Sequence, residues 1–225
     1  MKLLHFEQSI SSADLLRKVC DLNWDKDVHG ILLFKPFPKH IDEKTIISIL
    51  SPAKDVDGIT PTSLSGVFMD QHRGHRPCTA EACIETLHYY GIALSGKKVT
   101  VLGRSLTIGK PVALMVMNEG ATVTVCHSKT PPEELRQACQ GADILIAAIG
   151  KARTIGQEHI CSGQIVLDVG INLDEGGRLC GDVDFAAASK IAEQITPVPG
   201  GIGTVTTAIL MKHITEAAHL SYPKE

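Results

Sequence analysis

Residues 97–130 read KKVTVLGRSLTIGKPVALMVMNEGATVTVCHSKT, and this stretch decides the fold. Val99, Val101 and Leu102 form a short apolar run, the pattern of a strand buried on both faces of a parallel sheet. Gly103 ends that strand. Gly109 and Pro111 open a helix carrying Val112, Met115 and Val116, and Ala121 to Cys126 returns as a second apolar strand. A strand–loop–helix–strand unit with glycine at its first turn is how α/β proteins place a phosphate at a helix N-terminus. The spacing is not the usual G-x-G-x-x-G: Gly103-Arg104-Ser105 is followed by Gly109. Nucleotide binding is the reading this spacing favours over a merely structural βαβ turn.

The end of the second strand bears on which nucleotide. NAD-preferring sheets carry Asp or Glu there to accept hydrogen bonds from the ribose 2′-hydroxyl. Here the residues are His127, Ser128, Lys129 and Thr130, with no carboxylate, and Arg104 lies in the neighbouring loop. A guanidinium and a hydroxyl suit a 2′-phosphate, so NADP is expected over NAD. The alternative is a polar, solvated strand end.

Working outward, residues 1–76 read as a separate layer. Leu3–Phe6 and Val28–Phe34 are strand candidates. Ser11 or Ser12 caps a helix to about Asn23, and Asp42 caps another through Ile46, Ile47 and Leu50. The βαβα order implies parallel strands joined by right-handed crossovers, although two strands make a thin sheet. Lys54–Gly66 is a turn-rich loop, Asp70–Arg76 is polar, and Thr79 caps a helix to about Tyr90 that leads into the nucleotide domain. Beyond residue 130 come a helix near Glu133–Cys139, a strand Asp143–Ile149, a strand Ile165–Val169, the segment GINLDEGGRLCGDVD, and a loop TPVPGGIGTVTTA before a closing helix to about Leu220. The fold class is therefore α/β, a Rossmann-type parallel sheet with a smaller, incomplete α/β domain.

Composition excludes several classes. A formal net charge of −3 gives no electrostatic reason to expect nucleic acid or an anionic membrane. No apolar run approaches the roughly 18 residues of a membrane span, and the start MKLLHFEQSISSADLL has no signal-peptide pattern. Seven cysteines, an odd number scattered over predicted helices and strands, fit reduced thiols in a cytoplasmic protein. Cys78 and Cys83 fit no common zinc spacing and no H-E-x-x-H occurs, so no metal site is expected.

In an open α/β sheet, ligands sit beyond the carboxyl ends of strands, which points to loops 103–109, 127–130, 150–155 and 170–172. Pro199-Gly200-Gly201 precedes the last helix, and its glycines permit close backbone approach to a planar ring. The alternative is a flexible domain connector. Asp55 and Asp57 in KDVDG would share one face of a strand end, where one could bond a heterocycle's ring nitrogen and amino group; a lone D-x-D-G is otherwise a solvated turn.

Taken together, KDVDG, PCTAEA, VLGRSLTIGKP, VTVCHSKT, DVGIN, GDVDF and ITPVPGGIGTVT resemble, in order and spacing from about Val28 onward, the bifunctional methylenetetrahydrofolate dehydrogenase/methenyltetrahydrofolate cyclohydrolase family (FolD). The resemblance implies a folate-binding domain (1–76), an NADP-binding Rossmann domain (77–200) and a C-terminal helix (201–225) packing back on the first. It implies a homodimer through the Rossmann domains, and tetrahydrofolate one-carbon derivatives as substrates. It makes Asp57 the folate-orienting carboxylate and assigns NADP to the loop Gly103, Arg104 and Ser105, with Ser128 near the 2′-phosphate and Ile171 a cofactor contact. Pro199, Gly200 and Gly201 become the folate-cleft loop.

Two departures stand out. The family's G-x-L-x-Q-x-P-L-P is Gly30-Ile31-Leu32-Leu33-Phe34-Lys35-Pro36-Phe37-Pro38 here, with Phe34 replacing the glutamine. The family's Tyr-x-x-x-Lys motif is absent; the tyrosines are Tyr89, Tyr90 and Tyr222. The chain is accordingly expected to be N-terminally truncated relative to the family, with an impaired cyclohydrolase step. Lys35 is the nearest substitute, but strand alternation would point it away from the face of Phe34. A non-catalytic NADP-binding remnant is the second reading. Amino-acid and shikimate dehydrogenases are a third, which the KDVDG and PVPGG loops argue against.

Overall fold

The computed structural model describes residues 1–221; the last four residues of the predicted C-terminal span lie outside them. Its centre is a parallel sheet of β1 (Lys98–Leu102), β2 (Thr122–Cys126), β3 (Ile144–Ala147), β4 (Ile165–Asp168) and β7 (Gln194–Ile195), in the order β2-β1-β3-β4-β7. The register places Leu102 beside Cys126 and Ala147, and Ala147 beside Asp168. Four strands thus end at one edge, where the predicted loops begin.

Strand alternation builds two cores. Val99, Val101, Ile144, Ile146 and Leu167 face α4 (Cys78–Tyr89), α5 (Gly109–Asn118) and α8 (Ile202–Ser221). Leu102, Leu145, Ala147 and Val166 face the other way, with Cys139 of α6 (Pro132–Gln140) and Ala188 of α7 (Phe185–Ala188). Burying each large aliphatic side chain contributes roughly 1.5–3 kcal/mol, so this double-faced sheet is the molecule's main source of stability.

The first 75 residues differ from the sequence reading. α1 (Ser12–Trp24) and α2 (Glu43–Ile49) form as expected, with Ser11 and Asp42 capping backbone N–H groups of Asp14 and Lys44. Leu3–Phe6 forms no strand, and Val28–Phe34 makes only one parallel bridge, between Ile31 and Asp55. A strand needs a neighbour along its length to take its hydrogen bonds, and among the described residues only Ile31 of these two runs pairs with one. The layer is held instead by a six-residue cluster, Leu15, Val19, Ile31, Ile41, Ile46 and Leu50, and by polar ties. Asn23 bonds the Ile49 carbonyl and the Ser51 amide, and Lys54 bonds the Leu22 and Asp25 carbonyls.

Other differences are local. The supposed loop Lys54–Gly66 contains the start of α3 (Pro61–Met69), capped by Thr60. α4 starts at Cys78 behind Pro77, without a side-chain cap from Thr79. The final helix begins at Ile202, inside the segment read as loop. The hairpin β5 (Asn172–Leu173) and β6 (Leu179–Cys180) and the two-residue β7 carry too little pattern to be read in advance.

The first layer leaves large apolar side chains in the open, Leu3 and Phe6 among them, with Trp24 at 86 % and Phe34 at 72 % exposure. A polypeptide of these 225 residues should therefore bind a dye specific for apolar surface, and limited proteolysis should cut first before residue 75. Fragments read by mass spectrometry check this; early cleavage within residues 98–168 would contradict it.

Candidate functional site

At the end of β1, Gly103 adopts φ +126°, and a Cβ there would strike the Ala148 carbonyl. Gly109 is equally constrained, since a Cβ would meet the Gly103 carbonyl and, at 2.8 Å, the Arg104 amide. The loop therefore folds back tightly over the N-terminus of α5. Ser105 Oγ accepts the Ile108 amide at 3.1 Å and the Gly109 amide at 3.3 Å. Its hydroxyl proton is left to donate outward, since a hydroxyl has two acceptor sites and one donor. Arg104 is exposed and makes no ion pair among the described residues.

One strand over, the Gly103 amide bonds the Cys126 carbonyl at 2.9 Å, setting loop 103–109 beside loop 127–130. The second loop is a closed turn: Thr130 Oγ1 accepts the His127 amide, and His127 Nδ1 accepts the Lys129 amide. Ser128 is exposed at its tip. Arg104 and Ser128 thus flank the same strand ends, and no carboxylate lies between them in either loop.

The ends of β3 and β4 are organised by two buried acids that sequence reasoning missed. Asp182 accepts the amides of Ile149, Gly150 and Lys151 and the side-chain amide of Asn172. Asp168 accepts those of Gly170, Asp182 and Val183. A Cβ on Gly181 would strike the Asp168 carboxylate, and one on Gly170 the Asp182 carboxylate. The glycines flanking DVGIN and GDVD were the available signal. Burial pushes Asp168 up to about 6, against the opposing pull of its three amides.

Ile171, 68 % exposed, and Pro199, Gly200 and Gly201 share a cavity of about 430 Å³ with Val169, Thr204 and Thr207. Asp57 does not line it. Asp55 and Asp57 also part company: Asp55 is fully buried and spent on the Ile59 and Thr60 amides and the Ser63 hydroxyl, whereas Asp57 is half-buried. Burial, and then the Asp55 charge, raise Asp57, while Cys78, Lys35 and His213 pull it back. Lys35 is ion-paired with Glu43 at 2.6 Å. With Val28–Phe34 not a strand, alternation does not decide where Lys35 points, and its charge reaches Asp57.

His75, His213 and Glu216 lie within metal-binding distance of one another. Both nitrogens of His213 are already engaged, by the Val56 carbonyl and Glu81.

The parallel sheet, the glycine-tight loop over α5 and the loops gathered at one sheet edge define an NAD(P)-binding α/β protein. Residues 77–222 match the NAD(P)-binding domain model of the tetrahydrofolate dehydrogenase/cyclohydrolase family, and residues 1–57 match its catalytic domain. The bifunctional protein FolD of Carboxydothermus hydrogenoformans is 45% identical over 221 residues, covering 97% of this chain and 76% of that protein. The crystal structure of FolD from Campylobacter jejuni superposes with a TM-score of 0.93 at 38% identity, covering 97% of this chain and 77% of that one. The Trypanosoma brucei enzyme, solved with NADP and an inhibitor, gives 0.90 at 38% identity, covering 95% and 74%. The chain belongs to the tetrahydrofolate dehydrogenase/cyclohydrolase family.

Asp168 yields a prediction with a definite sign. Its folded value of about 6 exceeds the ordinary 3.8, so the folded state holds the proton more tightly. Its contribution to stability is present below pH 3.8 and lost as pH rises through about 6. Asp168→Asn should remove that slope, and should lower stability overall by about 1–3 kcal/mol because an amide nitrogen would confront a backbone N–H. Denaturant titrations of both proteins across this pH range measure it; identical slopes would contradict it.

Proposed function

We propose that the protein oxidises 5,10-methylenetetrahydrofolate to 5,10-methenyltetrahydrofolate with NADP, the dehydrogenase reaction of one-carbon metabolism, and is built for the subsequent hydrolysis to 10-formyltetrahydrofolate. The single observation that carries the reading is the tight Gly103–Gly109 loop over α5, set beside a carboxylate-free loop at 127–130. NADP, when bound, supplies the hydride acceptor. The chain's own part is binding and orientation. Arg104 and Ser128 are the residues we assign to the 2′-phosphate, with Gly103 and Ser105 on the phosphates. Ile171 and the Pro199, Gly200 and Gly201 loop line the space for the nicotinamide and the folate ring. Asp57 is assigned to the pterin, accepting its ring N–H and amino group. Residues 1–76, 77–200 and 201–225 serve in this reading as folate domain, cofactor domain and closing helix. Homodimerisation through the Rossmann domains and residence in the cytoplasm belong to the same reading; β2 is an edge strand with Val125 partly exposed, which supports the first.

Arg104→Ala should weaken NADP about tenfold or more, since a charge-assisted phosphate contact contributes roughly 1.5–3 kcal/mol, and should leave NAD little changed. Titration of both cofactors into both proteins is the test; equal losses would remove Arg104 from the 2′-phosphate.

For the hydrolysis step a positioned acid–base group commonly contributes about 10²–10⁴-fold. These 225 residues contain no Tyr-x-x-x-Lys, and Phe34 replaces the glutamine of the resemblance. Lys35 is held by Glu43. A polypeptide of these residues should therefore reduce NADP in the presence of methylenetetrahydrofolate while barely accelerating the decay of methenyltetrahydrofolate absorbance over buffer. Hydrolysis as fast as in a full-length relative would assign that role to Lys35 or another residue present here.

A further inference from the structure

His213, on the buried face of α8, is only 2 % exposed. Its Nδ1 lies 2.9 Å from the Val56 carbonyl and its Nε2 lies 3.0 Å from Glu81 Oε2 on α4. A carbonyl can only accept, so Nδ1 carries a proton. Glu81 is buried, which opposes its charge. His213 and Lys212, the latter at 3.0 Å, nonetheless hold it down to about 2. An ionised Glu81 also only accepts, so Nε2 carries a proton as well. His213 is thus an imidazolium, buried, one residue's backbone away from Asp57. Cys78 donates to the same Val56 carbonyl at 3.2 Å, filling its second acceptor site.

We propose that His213 is a positioning residue for Asp57: through the Val56 carbonyl it fixes the loop that presents Asp57 to the pterin, and it holds a buried cation next to that loop. This rests on the assignment of Asp57 given above. The charged and titratable groups facing His213 are Glu81 and Cys78 from α4, and Lys212 and Glu216 from its own helix. His75 from the preceding loop, stacked at 4.3 Å, and Asp55 and Asp57 from the first layer complete the set. His75 is lowered by burial and by the His213 charge. Lys212 compensates Glu81 but makes no bond to Val56, and so cannot replace His213 at the loop.

The sign is fixed by Asp57, which burial and Asp55 raise and His213 lowers. Removing the cation should raise it further. In His213→Asn a side-chain amide can still donate to Val56 but carries no charge. Asp57 is followed by the titration of its carboxyl carbon in NMR, its resonance assigned with Asp57→Asn. Binding of 5-formyltetrahydrofolate and of NADP is measured over the same pH range. The expected result is an Asp57 midpoint higher by roughly 0.5–1 pH unit in His213→Asn. Folate affinity should fall several-fold below that midpoint, and NADP affinity should not change. Glu81→Gln is the second variant, should His213→Asn fold poorly: it leaves the ring in place but removes the carboxylate that holds its proton, and should raise Asp57 at pH values where His213 has become neutral. An unmoved Asp57 midpoint in both variants overturns the proposal, as does a moved midpoint with unchanged folate binding while Asp57→Asn weakens it. If Asp57→Asn itself leaves folate binding unchanged, the assignment of Asp57 to the pterin falls, and with it the functional purpose proposed for His213.

Discussion

A parallel sheet leaves the backbone amides at its carboxyl edge without sheet partners, and every loop that leaves that edge must find acceptors for them. In this protein two buried carboxylates do most of that work. Asp182 takes the amides of the loop after β3, and Asp168 takes those on either side of the β5–β6 hairpin. Each sits against a glycine whose missing side chain is what allows the approach. The loops at this edge therefore have fixed positions before any ligand arrives, which is what a site for a large, flexible dinucleotide requires. Burying two acids side by side costs stability, visible in the raised Asp168, and the amides they receive offset part of it.

How much of this could be read from the chain follows from how local each cause is. The unit from Lys97 to Thr130 was fully legible, because burial on both faces, the glycine turn and the helix start are all properties of neighbouring residues. The absence of a carboxylate at 127–130 was legible for the same reason. Leu3–Phe6 and Val28–Phe34 have the composition of strands but not the structure, because strand formation depends on a partner elsewhere. Ile31 finds one such partner at Asp55, and the rest of the run finds none. The KDVDG pair was misjudged in a related way. Alternation suggested two equivalent carboxylates, while the turn into α3 consumes Asp55 entirely and leaves Asp57 half-buried outside that turn.

The Glu81–His213 pair lay beyond any local reading. Its members are 132 residues apart and neither sits in a pattern that marks it. A glutamate on a helix that leads into a domain and a histidine on the closing helix are each, by themselves, solvated-face residues. Only the packing of α8 against α4 makes them a buried ion pair, 3.0 Å apart and excluded from water. Such a pair contributes little to net stability once desolvation is counted, but breaking one side of it leaves a buried charge unpartnered. Its value is therefore one of specification: it fixes the register of α8 against α4, and through Val56 the position of the first layer.

The two halves of the site consequently differ in kind. The loops after β1, β2 and β3 are fixed by backbone groups and acids lying between residues 98 and 183. The Asp57 side is assembled from three distant segments, with the loop 55–57, Cys78 and Glu81 of α4, and His213 of α8 meeting at one carbonyl. The small cluster under the first layer is too limited to fix Asp57 alone. Position and ionisation there are imposed from outside the layer, by helices anchored in the sheet. A disturbance of the first layer is for that reason transmitted poorly to the cofactor loops, whereas a disturbance of α8 reaches Asp57 through a single hydrogen bond.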